Sequence, residues 1–424
     1  MTGPVDDSLS PGGESPRGRR AAVLVLVIAG LLMLAPFTVD AYLPSFHAIG
    51  DEFGVGQAAI QQTLSLYLVA FASMMLFYGP ASDSFGRKRV ILLALLAYAL
   101  MTVFAALSQS IGQLVAARVG QGLAAGAGVV IGRALVRDLF AGADAQRVMA
   151  NIMLVFAAAP AAAPIIGGWL HEWFGWRSVF WFLVGFSLLL MLAVWRLLPE
   201  TVEYRYRQSF APAFVLKSYA RALSHPRYMQ LIIVFALLFG GMFLYVAAAP
   251  AILIDHLGQD ETDFWKFFVP LVIGLILGSR LTRWLAGRMG MTATMGLGLS
   301  LTGLAVVYNL VQAWVQPPDV THGVWLTVTP ITLYVMGMAT TMPALNLVAL
   351  DYWPEQRGLA SALQGATQMA FAGLVSGVMV AWLADSLFAL AVGMAALYLA
   401  GLTLWFCWLV GARGRGQNEK GPLP

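Results

Sequence analysis

Two ionisable side chains stand where charge is most costly, inside long apolar runs: Asp40 in APFTVDAYLP and Arg118 in RVGQGLAAGAG. A carboxylate held out of water favours its neutral, protonated form, so Asp40 is a candidate to take up and release a proton near neutral pH. It is equally suited to attract a cationic substrate. Pro36 and Pro44 flank it, and a helix ending early there would leave it a plain outer-surface residue. Arg118 lies about two turns, roughly 10 Å, past the outer end of its own run. At a similar depth it would favour the ionised form of Asp40, and a pair that breaks and reforms would tie protonation to the state of the protein. A static pair, or an arginine bound to backbone carbonyls, is the alternative. Gln121 follows one turn later on the same face.

Neutral polar groups in later runs, Asn346, Gln364 and Gln368, either line a cavity or bridge helices. Tyr42, Tyr67, Phe71, Phe243 and Tyr245 are candidates for an aromatic wall, with packing as the alternative. Arg133 falls about 22 Å deeper than Arg118. There it joins Arg137, Asp138 and Arg357 as a candidate inner charge network. Pro160, Pro164, Gly167 and Gly168 in AAAPAAAPIIGG predict a kinked, closely packed helix, which is either simple packing or a hinge or leak-tight seal.

Other chemistries lack their residues. The four lysines never follow glycine, so there is no Gly-Lys-Ser/Thr phosphate loop. The five histidines have no metal-ligand spacing, and no Gly-x-Ser-x-Gly elbow occurs. Cys407 has no cysteine to pair with and sits in an apolar run. No catalytic residue, metal or cofactor is expected, and the dispersed cations argue against nucleic acid.

The elements that must position these residues are membrane helices. Of 424 residues, 59% are hydrophobic and 11% charged, against about 25% charged in soluble domains. A crossing takes about 20 residues. Twelve runs qualify: 21–46, 58–80, 89–108, 112–136, 148–170, 177–198, 228–253, 264–286, 291–314, 323–349, 359–384 and 386–410. With both termini cytoplasmic, 21 of the 25 cations fall in inner segments, while the outer loops are acidic or neutral. The predicted fold is all-α and integral to the membrane, with twelve helices in two pseudo-symmetric bundles. A disordered cytoplasmic tail (1–20) precedes an N-terminal six-helix bundle (21–198). A cytoplasmic loop (199–227), a C-terminal bundle (228–410) and a second tail (411–424) follow. Weak echoes between the halves support duplication: GRKR with GRMG, Pro44 with Pro250, and Asp138 with Asp351. A site between two such halves at mid-membrane is how many secondary transporters are built.

Between the second and third runs lies GPASDSFGRKRV, carrying Gly79, Asp83, Gly86, Arg87 and Lys88. This loop resembles the signature of the major facilitator superfamily. DAYLP, the QQTLSLYLVAFA helix, Arg118-x-x-Gln121-Gly122, Arg137-Asp138, Pro164 with Gly167-Gly168, and YVAAAP together resemble its drug:proton antiporter branch, the bicyclomycin/chloramphenicol-resistance (Bcr/CflA) group. Ser84 departs from the family's usual arginine, and Ala163 from the glycine before the antiporter-motif proline. The resemblance implies a proton-coupled exporter of small amphipathic compounds, such as phenicol-, bicyclomycin- or sulfonamide-like drugs. It implies a monomer in a bacterial inner membrane, with Asp40 and Arg118 lining the cavity and the loop stabilising one access state. A proton-coupled transporter of a nucleoside, amino acid or sugar, and a non-transporting membrane sensor, are the rival readings.

Overall fold

A computed structural model describes residues 19–202, 212–315 and 323–418. Backbone groups in hydrocarbon have no water to bond, so an apolar run of this length must satisfy them as helix. Twelve helices long and apolar enough to cross a membrane result. They are α1 (Arg19–Asp40), α2 (Gln57–Phe85), α3 (Arg87–Ala106), α4 (Ile111–Leu139), α5 (Gly142–Phe174) and α6 (Arg177–Leu197) in the first half. The second half holds α7 (Pro226–Ala247), α8 (Trp265–Leu285), α9 (Met291–Val315), α10 (Val324–Leu350), α11 (Arg357–Leu374) and α12 (Leu387–Asn418).

The packing repeats between halves. α4 lies on α2 and α3, α1 on α5, and α3 on α6; raising each label by six gives α10 on α8 and α9, α7 on α11, and α9 on α12. The two seams joining the bundles, α2 with α11 and α5 with α8, exchange under the same operation. The echoes in sequence are echoes in backbone. Gly86 before α3 and Gly287 before α9 both take positive φ, at 94° and 81°. Only glycine enters that region at little cost. Pro36 stays inside α1, and both α1 and α7 change conformation near the echoed prolines, Pro44 and Pro250. α1 passes into a 3₁₀ turn, Leu43–Ser45, and a short helix, Phe46–Phe53. α7 passes through Pro250 into a π-helical turn, Ala251–His256.

Three expectations on boundaries change. Arg19 and Arg20, placed in the first tail, already belong to α1, and α12 carries helix through 411–418; residues 1–18 and 419–424 lie outside the described part. The segment 199–227 is not simply a loop, because it contains a helix, Pro212–Leu223. That linker helix buries Val215, Tyr219 and Ala222 and exposes Leu216, so one face is docked. Its anchor has a local cause. Pro80 in α2 has no N–H, which leaves the carbonyl of Leu76, four residues earlier, without its helical donor. The Tyr219 hydroxyl donates to that carbonyl at 2.9 Å.

Candidate functional site

Arg118 is completely buried in the first bundle. Its Nη1 donates to the Thr38 carbonyl of α1 at 3.2 Å and to Gln121 Oε1 at 3.0 Å. Its guanidinium lies over the rings of Tyr42 (4.8 Å) and Tyr67 (4.3 Å). Gln121 passes the constraint on, donating from Nε2 to Thr102 Oγ1 at 2.8 Å, and Thr102 donates to the Tyr98 carbonyl. Because the Thr38 hydroxyl donates to Leu34, the Tyr98 hydroxyl donates to Thr38, at 2.6 Å. By the same reasoning Tyr42 donates to Thr63, whose own proton goes to Ile60. Helices 1, 2, 3 and 4 thus converge on one cation. The fit is incomplete: among the described residues, Arg118 Nε and Nη2 and the Tyr67 hydroxyl are buried without hydrogen-bond partners. Gly122 permits the approach, since a Cβ there would stand 2.3 Å from the Tyr67 carbonyl oxygen.

Asp40 ends α1 but is not an outer-surface residue. The apolar span continues to Phe53, and Asp40 is 6% exposed. Its carboxylate has no hydrogen bond or ion pair among the described residues. The expected pair with Arg118 is not formed, and the reason is azimuth. Thr38 and Tyr42, four apart, share the face that meets Arg118. Asp40 is two residues from each, about 200° round the helix. Depth alone suggested a pair that rotation forbids in this conformation. Arg118 takes the other course, a bond to a backbone carbonyl.

Next to Asp40, α1 is welded to α5. A Cβ on Gly167 would lie 2.0 Å from the Ala41 carbonyl oxygen, and one on Gly168 would lie 2.3 Å from that of Glu261 in the opposite half. Pro160 and Pro164 stay inside a continuous α5. This contact belongs to the acidic end of the molecule, which carries Glu52, Asp255 and Glu261. The bundles are latched there. Gln61 donates to the Ala247 carbonyl at 2.9 Å and accepts from Ser376 at 2.9 Å. Gln62 donates to Gly377 at 3.0 Å, Ser65 to Gly373 at 2.7 Å, and His47 meets Asp255 at 2.9 Å. Among the described residues, all direct hydrogen bonds between the bundles lie toward this end.

At the opposite, basic end the charge cluster differs from expectation. Arg87 is its hub, paired with Asp83 at 2.8 Å and with Asp138. Arg87 also donates to Ser82, and its backbone N–H to Glu200. Lys88 caps the Trp195 carbonyl at 2.8 Å. Arg133 and Arg137 are exposed and have no ion pair among the described residues, so the network forms around the signature loop instead. Arg357 pairs with Asp351 at 3.2 Å, in the second half and apart from Asp138. Ser84 turns back to donate to the Pro80 carbonyl.

Residues 28–376 match the model of the Major Facilitator Superfamily. The chain belongs to the major facilitator superfamily. Among its relatives is the bicyclomycin resistance protein homolog of Haemophilus influenzae (strain Rd), 30% identical over 359 residues, covering 85% of this chain and 89% of that protein. The chloramphenicol resistance protein of Pseudomonas aeruginosa is 27% identical over 350 residues, covering 81% and 80%. They place the chain in the bicyclomycin/chloramphenicol-resistance branch of the superfamily. Among solved structures, a bacterial homolog to the human lysosomal transporter Spinster, inward-facing and unoccupied, superposes with TM-score 0.70 at 15% identity, covering 96% of this chain and 100% of that one. It shares the superfamily fold. The chain is therefore a multi-pass membrane protein of a transporter family.

The remaining candidates divide by their surroundings. Phe71 stacks on Tyr67, with centroids 6.2 Å apart, and extends the aromatic lining around Arg118. Tyr245 is instead interior to the second bundle, where Asn309 donates to its hydroxyl at 2.6 Å. Phe243 stacks on Phe239 at 5.9 Å. Gln364 is buried, its Oε1 without a partner among the described residues, while Asn346 and Gln368 are half-buried. Sequence reasoning missed the latch residues Gln61, Gln62, Ser65 and Ser376, the Thr38–Tyr98–Thr102 relay, and Asn309. For the latch a signal existed: positions 61, 62 and 65 are i, i+1 and i+4 on one helix face, polar within an apolar run.

Proposed function

We propose that this member of the superfamily is a proton-coupled exporter of small amphipathic compounds, working by alternating access in a bacterial inner membrane with both termini cytoplasmic. On this reading the acidic end faces outward and is shut. The observation that carries it is Asp40: buried, unpaired, and immediately beneath the Ala41–Gly167 weld. An unpaired carboxylate in that position is well placed to exchange a proton with water when the seam above it parts. Proton entry from outside favours substrate release outward; deprotonation toward the inside resets the site. Arg118, fixed to the α1 backbone at Thr38 and caged by Tyr42 and Tyr67, holds the first bundle rigid and presents unmet donors to an acceptor group on substrate or water. The relatives named for chloramphenicol and bicyclomycin resistance support compounds of that class as cargo. Gly79, Asp83, Gly86, Arg87 and Lys88 act as a gate at the inner end, their ion pairs belonging to the state in which Arg87 meets Asp138.

The test is Asp40→Asn in everted vesicles. Drug uptake driven by an imposed pH gradient should vanish, while the protein still inserts and binds drug. Full gradient-driven transport by this variant sinks the proton role. A metabolite transporter is the second reading, and a flux screen of nucleosides, amino acids and sugars in the same vesicles separates it.

A further inference from the structure

The outer flank of the first bundle carries a groove. Between α3 and α6 lies a cavity of about 420 Å³, open to the surroundings and lined by Leu93, Leu96, Leu188, Met191, Leu192 and Trp195 among others. The wall from Leu188 to Trp195 runs about 10 Å along α6 toward the basic end. In the second half, the corresponding pair is α9 and α12. There Trp405, 210 positions after Trp195, folds inward against Gly296 of α9. Trp405 is 6% exposed and Trp195 57%. The two halves thus turn an indole inward at one position and leave it exposed at the equivalent one.

The mouth of the open groove is cationic. Arg196 lies over the Trp195 ring at 5.0 Å. Lys88 Nζ sits 2.8 Å from the Trp195 carbonyl oxygen. Arg89, beside it, is exposed and has no partner among the described residues. The nearby acids are committed elsewhere. Glu200 accepts from the backbone N–H groups of Arg87 and Thr201, and Asp83 and Asp138 face Arg87. Apolar walls leading to unneutralised cations match an acyl chain with a phosphate at its head.

We propose that this groove is a site for one anionic phospholipid, with an acyl chain between α3 and α6 and the phosphate on Arg89 and Arg196. The lipid would brace the helix that follows the signature loop, because Lys88 and Trp195 join the same wall. The test is native mass spectrometry of the full-length protein released from detergent, titrated with phosphatidylglycerol or phosphatidylcholine of identical chains. Wild-type protein should retain phosphatidylglycerol at least about fivefold more strongly. Arg89→Gln with Arg196→Gln should bring the ratio to about one. Leu192→Trp, which fills the groove with an indole, should weaken retention of both lipids and covers the case that the double variant misfolds. Equal retention of the two lipids by wild type overturns the proposal, leaving a non-selective lipid annulus. So does a preference that survives the arginine substitutions, or displacement of the lipid by millimolar inorganic phosphate, which would make the groove irrelevant.

Discussion

At the scale of single residues, two charges at one depth serve different neighbours. Arg118 is caged on the Thr38–Tyr42 face of α1, and Asp40 stands on the reverse face without a partner among the described residues. An arginine held by two hydrogen bonds and two ring faces is not replaceable by lysine, which lacks the planar fork. Arg118→Lys should lower stability in detergent by about 2 kcal/mol. Thermal unfolding followed by tryptophan fluorescence measures it, and a variant as stable as wild type would show the cage to be ornamental. Gly167 gives a sharper contrast. A Cβ there meets the Ala41 carbonyl oxygen at 2.0 Å, whereas nothing lies within 4 Å of one added at Gly185. Gly167→Ala should abolish transport by forcing α5 off α1, and Gly185→Ala should leave it intact; equal activity of the two variants in vesicles would remove the seam from the mechanism.

At the scale of elements, prolines and glycines decide where helices break and what must mend them. Pro44 and Pro250 mark the change from α-helix to 3₁₀ and π turns at equivalent places. Pro80 stays inside α2 and leaves Leu76 to the linker helix through Tyr219. An unmet buried carbonyl costs about 1–3 kcal/mol. Tyr219→Phe should therefore loosen the linker helix selectively. Hydrogen–deuterium exchange should quicken across 212–223 while α2 and α4 stay protected; unchanged exchange in the linker would mean its apolar face alone holds it. Tyr219 carried no sequence signal. Its partner is a carbonyl 143 positions away, orphaned by a proline in another element.

At the scale of the whole molecule, the two bundles are joined by a short polar latch at one end, so the balance between access states rests on few bonds. Gln61 makes two of them. Gln61→Leu should shift the population toward opening at the acidic end. Spin labels on Asp51→Cys and Asp385→Cys, in a Cys407→Ala background, report it as a longer distance between the bundles. An unaltered distance distribution would place the closing energy in the apolar seams instead. A change of population requires no new contact, only unequal loss from the two states.

Apolar run length determined the twelve spans, because hydrocarbon leaves the backbone no option but helix. Duplication was legible in the glycine and proline echoes, because those residues fix backbone geometry locally wherever they occur. The sequence also named the residues of interest, since charge inside an apolar run stands out by its cost. Which of them meet was settled by tertiary structure. Rotation about α1 separates Asp40 from Arg118, helix packing makes Arg87 rather than Arg133 the hub at the basic end, and the fold of the second bundle takes Tyr245 to Asn309. Contacts between side chains on different helices depend on azimuth and tilt, and neither is encoded in any single run.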